Sequence, residues 1–276
     1  MAAPPTYAAL VSSTEGKWAG KAQAYADTFA LLCAELVDPL LDALDPTPGD
    51  TLLDVGTGTG AVAAAALQRG CAVVAVDPEP DMLALAAQNA PAAELVRAGL
   101  PELDGISGPF TAITANCVLN QLAEPKASLQ RMVALLAPQG RLAVSTWPAQ
   151  HGVQQLWNDV VAQSGAVIPP GAERSANPDG YRRDLDGVRS LLISAGVRID
   201  RLWLHEFVHV VDPELWWSGP SREVAWIGQV YRAQSEAGAA AMEQAYRRRS
   251  ADYRGSDGLL HLPASAIMAV GGRPTE

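Results

Sequence analysis

Positive charge is scarce in this chain: 20 Lys and Arg stand against 30 Asp and Glu, a formal net charge of -10 over 276 residues. That balance argues against nucleic acid or an anionic membrane as partner. Charged residues of both signs make up only 18% while hydrophobic residues make up 49%, which excludes a disordered or coiled-coil chain and leaves enough apolar surface for a large core. Cysteine is rarer still. Cys33, Cys71 and Cys117 are odd in number, lack C-x-x-C spacing and sit among apolar neighbours, so a reducing cytoplasm and no disulfide framework are expected. A long apolar run is missing too, because Gln68, Arg69 and Gly70 interrupt the most apolar stretch, 61–76. The start MAAPPTYAAL has no basic region leading into an apolar one, so no export signal is read there. There is no internal repeat and no low-complexity tract.

What is present is a regular alternation. Ser12 and Glu15 are spaced as a capping box, and Tyr25, Phe29, Leu32, Leu36 and Leu40 follow at helical spacing, so residues 1–46 are expected to form an N-terminal helical lid segment. The turn DPTPGD at 45–50 ends it. Strands are then expected at 51–55, 71–77, 93–98, 110–118 and 141–147, with helices after the glycine loop, from Asp81 through Asn89, and over 128–137. Further helices are expected within 151–165, over 185–196, 220–234 and 236–254, and two last strands at 197–211 and 263–271. Strands alternating with helices predict an α/β fold, a doubly wound parallel sheet with its ligand crevice at the carboxyl ends of the strands. The expected organisation is a cofactor-binding core over 47–147, then 148–276 completing the core, with substrate-covering insertions at 148–183 and 212–258.

Gly56, Gly58 and Gly60 lie between the first strand and its helix, where glycine permits a tight turn and close approach of a ligand to the backbone. With Ala61 the loop also satisfies G-x-G-x-x-A, which leaves a nicotinamide or flavin dinucleotide open. Asp77 ends the second strand, where its carboxylate can accept from both hydroxyls of a ribose in either cofactor class. Asp54 lies inside the first strand, a place usually apolar in dinucleotide folds. It suits a ligand ammonium, hence an amino-acid-like cofactor end.

The segments LLDVGTGTG and VVAVDPEPDML resemble the cofactor motifs of class I S-adenosylmethionine-dependent methyltransferases. The resemblance continues through FTAITANCVLNQL and APQGRLAVSTW, covering 51–147 well and 184–271 loosely. It implies a seven-strand Rossmann-like sheet with helical lid insertions and S-adenosylmethionine as cofactor. By position, it implies that the backbone of Gly56, Thr57 and Gly58 meets the methionine moiety, that Asp54 reaches the amino group through solvent, and that Asp77 holds the ribose. Pro78 and Met82 would flank the adenine, Asn116 and Cys117 would lie beside the methionine chain, and Tyr25 would lie over the cofactor. Where the family often has an acid for the adenine amine, this chain has Ala98, Gly99 and Leu100, so that contact would be made by backbone. Trp18 with Tyr25, and the segment DPELWW, resemble bacterial enzymes related to the quinone-ring methyltransferases, many of them in natural product biosynthesis.

Methyl transfer from a sulfonium is an in-line displacement served largely by proximity and desolvation, so a base is optional. Related plant-type O-methyltransferases carry a histidine base where this chain has Asn120, which can orient an acceptor but not deprotonate it. His151, Tyr25, His205 and His209 are the other candidates. His205, Glu206 and His209 spell H-E-x-x-H, but the surrounding RLWLHEFVHVV is dense in β-branched and aromatic residues, so a strand and no metal site is expected. Trp18, Trp147, Trp157, Trp216 and Trp217 fall in the covering segments and suit an apolar or aromatic small molecule, with core filling the default reading. Arg232, Arg247, Arg248, Arg249 and Arg254 are read as a solvated helix face. Oligomeric state stays open, a homodimer included. Two rival functions also stay open: a nicotinamide-dependent oxidoreductase, and a cofactor-bound protein that binds a ligand or steers a cyclisation without methylating.

Overall fold

A computed structural model describes residues 18–170 and 181–274. The Ser12 and Glu15 capping box and part of the 148–183 insertion lie outside them. Burial divides the chain into two layers around one sheet. Leu52 and Leu53 are both fully buried yet face opposite sides, as the period of two in a strand requires. The strands are β1 (Thr51–Val55), β2 (Ala72–Asp77), β3 (Glu94–Arg97), β4 (Phe110–Ala115), β5 (Leu136–Thr146), β6 (Arg198–Val211) and β7 (Leu260–Gly272). They form one seven-stranded sheet in the order β3-β2-β1-β4-β5-β7-β6. The chain winds outward from β1 to one edge and returns at β4, which opens a crevice between β1 and β4 at their carboxyl ends.

The sheet is not wholly parallel as expected. β7 runs antiparallel to both β5 and β6. Val211 pairs with Leu260, so the helices between them leave and re-enter at one end of the sheet, and the returning strand must run the other way. β4 stops three residues short of the expected end, which frees Asn116, Cys117 and Val118 to turn at the crevice.

The expected single N-terminal helix is three: α1 (Ala22–Ala26), α2 (Phe29–Ala34) and α3 (Val37–Leu44). Thr28 breaks it first, with φ -132, ψ -92 and its hydroxyl donating to the Ala24 carbonyl at 2.6 Å. Pro39 breaks it again, since its ring would clash with the Glu35 carbonyl in a continuous helix, whereas the first turn of α3 tolerates it. Leu40, Leu41 and Leu44 of α3 are fully buried against the sheet, so α1 and α2 alone cover the crevice.

The remaining helices are α4 (Ala61–Gln68), α5 (Pro80–Asn89), α6 (Pro125–Leu135), α7 (Gly152–Ser164), α8 (Leu185–Ser194), α9 (Pro213–Ser221), α10 (Ala225–Arg232) and α11 (Glu236–Ser250). The helix expected over 220–234 is instead α9 and α10. Asp212 caps α9 by accepting from the Glu214 and Leu215 amides at 2.9 Å, and Glu223 at φ +63 separates the two. Asp81 likewise sits in the first turn of α5, with Glu79 as its N-cap. Trp157, Trp216 and Trp217 are buried here with Tyr246, whose ring lies 5.0 Å from Trp217 and 5.5 Å from Trp157. They fill a core under the insertions rather than wall an open site.

Gly60 shows how closely the site-bearing loop is held. It adopts φ +87, and a β-carbon there would stand 2.9 Å from Ala86 Cα on α5. Gly60→Ala is therefore expected to lower unfolding free energy by about 1–3 kcal/mol in a denaturant titration, combining left-handed strain with a backbone clash.

Candidate functional site

β1 ends at Val55, and the turn into α4 places Gly56, Gly58 and Gly60 at φ +67, +54 and +87. A β-carbon at Gly56 would press on Val118 at 2.7 Å, whereas one at Gly58 would meet nothing within 4 Å. Gly58 thus shows its bare backbone to open space. The Thr57 amide donates to the Val76 carbonyl at 2.9 Å, which ties the loop to β2.

Two acids stand against this loop. Asp54 is 1% exposed. Its Oδ2 accepts from Thr57 Oγ1 at 2.6 Å and its Oδ1 from Thr114 Oγ1 at 2.9 Å. Burial pushes its pKa from 3.8 up to about 6; the two hydroxyls oppose the rise and the charge of Asp77 adds to it. Asp77 closes β2 and accepts from the Gly58 amide at 2.9 Å and the Glu79 amide at 3.0 Å. Burial raises its pKa as well, against those two amides.

A cleft opens above the loop. Of the expected residues, Tyr25, Asp54, Gly56, Thr57, Gly58 and Asn116 line it. Cys117 is buried beside Asn116, and Asp77 stands behind Gly58. Pro78 and Gly99 face one another at the ends of β2 and β3, and Met82 is buried on α5, but these three and Leu100 do not line the cleft. The lid covers that side. Trp18 packs 5.0 Å from Tyr25, the Trp18 amide donates to Glu79 Oε1 at 3.2 Å, and the Gly20 amide donates to Asp81 Oδ2 at 2.9 Å. Cys33, Glu79 and Asp81 were missed as site residues. Cys33 lies eight residues beyond Tyr25, so helical spacing alone could have put it on the same face.

Of the candidate bases, Tyr25 lines the cleft, and Asn120 and the histidines do not. Asn120 sits in the turn Leu119–Gln121, its Oδ1 buried. His151 precedes α7 and stacks on Trp147 at 5.3 Å, and His205 stacks on Phe207 at 5.6 Å. His209 is buried beside Trp216, its Nδ1 3.6 Å from Glu35, with burial holding its pKa down. Both histidines of the H-E-x-x-H string are on strand β6, as expected. Among the described residues no group of three or more His, Cys, Asp or Glu is placed to hold a metal. Three of the five arginines pair with acids of the chain: Arg247 with Glu214 and Glu243, Arg249 with Asp159 and Asp252, Arg232 with Glu223.

The Asp54 shift has a stability consequence. Because the folded state keeps this proton up to about pH 6 and the unfolded chain loses it near pH 4, stability falls as pH rises through that window. Denaturant titrations between pH 4 and 7 should show this fall, with a contribution on the order of 3 kcal/mol from Asp54, and a smaller fall in Asp54→Asn, where Asp77 remains.

Comparison with known proteins agrees with this geometry. Residues 53–142 match a family described as "Methyltransferase domain". A demethylmenaquinone methyltransferase of Paenarthrobacter aurescens (strain TC1) is 27% identical over 153 residues, 55% of this chain and 60% of that protein. The chain thus spans about 60% of the length of this curated relative. Among solved structures, a candidate methyltransferase from Bacillus halodurans C-125 superposes with a TM-score of 0.56 at 16% identity, over 87% of this chain and 99% of that one. The cyclase SpnF superposes with a TM-score of 0.53 at 16% identity, over 88% and 82%. The two superpositions establish the fold. Over residues 53–142 the chain thus matches a methyltransferase domain, and over about half its length it is similar to a demethylmenaquinone methyltransferase.

Proposed function

We propose that this chain transfers the methyl group of S-adenosylmethionine to a small organic acceptor, apolar or aromatic in character, in the cytoplasm. The observation that carries the reading is that Asp54 and the bare backbone at Gly58 face one cleft. A pyrophosphate would set its charge against Asp54, whereas an ammonium would offset the burial that raises this carboxyl's pKa to about 6. The donor set therefore fits an amino-acid-like cofactor end better than a dinucleotide. Asp77, with lone pairs beyond the two amides it accepts from, suits the ribose hydroxyls.

The bound cofactor would supply an electrophilic methyl group on a sulfonium. In this reading Asp54 holds the ammonium, Gly56, Thr57 and Gly58 hold the methionine end, and Tyr25 with Trp18 shuts water out. No histidine lines the cleft among the described residues, so the barrier is lowered by holding and desolvating the acceptor rather than by a positioned imidazole. The same feature favours a second reading, a protein that keeps the cofactor as scaffold and binds or cyclises its ligand. The engaged arginines support a small-molecule partner over nucleic acid. A homodimer is compatible with either reading.

Calorimetric titration with S-adenosylmethionine, S-adenosylhomocysteine and a nicotinamide dinucleotide tests the cofactor. The two sulfur compounds are expected to bind, and Asp77→Ala to weaken them roughly tenfold to a hundredfold, as loss of hydrogen bonds to a charged group does. Affinity should fall as pH drops below about 6, because Asp54 must lose a proton to pair with the ammonium. Binding of the dinucleotide alone would sink the reading. Turnover on a panel of phenols, amines and carbon acids separates methyl transfer from the scaffold reading, which predicts binding without methylation.

A further inference from the structure

Two thiols from distant parts of the chain meet beneath the lid. Cys33 stands on α2 and lines the cleft, and Cys117 lies buried just past the end of β4. The Cys117 amide donates to Ser145 Oγ at 2.8 Å, Ser145 Oγ donates to Asn116 Oδ1 at 2.5 Å, and Asn116 Nδ2 donates to the Cys33 carbonyl at 3.0 Å. The Asn116 side chain thereby holds the lid backbone against the core backbone beside Cys117. Tyr25 donates its hydroxyl to Cys33 Sγ at 3.4 Å, and the Cys117 thiol lies 3.7 Å from both Asn116 Oδ1 and Ser145 Oγ, beside the amide that grips the Cys33 carbonyl. Cys117 also takes φ +59, a conformation uncommon for a residue with a side chain. Methyl transfer as proposed above requires neither thiol to react.

We propose that Cys33 and Cys117 are a hydroperoxide-reactive thiol pair whose disulfide staples α2 to the core and closes the cleft. Its effect on cofactor entry rests on the function proposed above, whereas its chemistry does not. The roles of the two sulfurs differ. Hydrogen bonds from Cys117 and Tyr25 hold the Cys33 pKa below the usual thiol value in spite of burial, while burial pushes Cys117 up. Cys33, half-buried in the cleft, attacks first, and Cys117 resolves. The Cys33 thiolate sulfur bonds to one peroxide oxygen, the O–O bond breaks, and the departing hydroxide takes up the proton Cys33 gave up on ionising and leaves as water, giving a sulfenic acid. Cys117 sulfur then bonds to Cys33 sulfur, the S–O bond breaks, and hydroxide leaves with the Cys117 proton as a second water. One hydroperoxide is reduced and two thiols are oxidised, and a thiol reductant reverses the step. Cys71, buried at the opposite end of β2 from the cleft, stays out of it.

Treating the full chain with stoichiometric hydrogen peroxide, alkylating the remaining thiols and mapping peptides by mass tests the pair. A Cys33–Cys117 link with Cys71 alkylated is expected, together with slower amide exchange over residues 22–34 and loss of S-adenosylhomocysteine binding, all restored by reductant. Both thiols remaining alkylatable, Cys33 carrying only a sulfinic acid, or a link to Cys71 would overturn the pair. A correct link with unchanged exchange, or with cofactor binding retained, would overturn the staple. A correct link and slowed exchange in a chain whose reduced form never bound the cofactor would support the staple and sink the cofactor reading instead. Cys33→Ser and Cys117→Ser should each abolish the link, while Cys71→Ser should preserve it.

Discussion

The site depends on one buried carboxyl. Asp54 sits at the carboxyl end of the central strand, nearly without solvent, and its two oxygens are held by hydroxyls from different directions: Thr57 from the glycine turn and Thr114 from β4. The crevice of a doubly wound sheet forms where the chain reverses direction across its strands, here between β1 and β4. Asp54 bridges that reversal. It fixes the turn relative to the neighbouring strand, and its preference for a proton records how dry the position is. A stable fold would be easier with an apolar residue there, and the proposed function accounts for the acid by giving it a ligand to hold.

Around this point the molecule is asymmetric. The floor is sheet and glycine turn, rigid because Gly60 lies almost against α5 and because Thr57 is tied to β2. The roof is two short helices that reach across from the N-terminal segment. Its polar contacts with the floor are Asn116 to the Cys33 carbonyl and two backbone amides to Glu79 and Asp81. Each such hydrogen bond contributes only about 0.5–1.5 kcal/mol net, and on its other side the roof is held by Leu32 and Phe29 packing on the core beneath the insertions.

Sequence patterning revealed the floor and lost the roof. TLLDV and CAVVAVD read correctly because short buried apolar runs bounded by turn residues have few alternatives, and the position of Asp54 inside such a run was itself informative. The direction of β7 was not legible, since a buried strand has the same pattern read either way; only the return of the chain at Leu260 decides it. The N-terminal stripe from Tyr25 to Leu40 matched one helix, yet a single threonine hydroxyl and a single proline divided it into three, and that division puts Cys33 over the cleft. The Asp212 and Pro213 pair was a legible helix start that the interior Pro220 obscured. The tryptophans of the insertions follow the default reading and fill core, since aromatic content near a crevice does not say which way the rings face.

The lid meets the acids of the β2 turn through its own backbone at Trp18 and Gly20. A main-chain amide is present whatever side chain the residue carries, proline excepted. Apart from the left-handed φ at Gly20, this docking places few demands on the identity of lid residues, while Glu79 and Asp81 must remain carboxylates or good acceptors. The roof is thus a surface on which acceptor preference can drift through substitution without unseating it, and the acids below are where variation should be least tolerated.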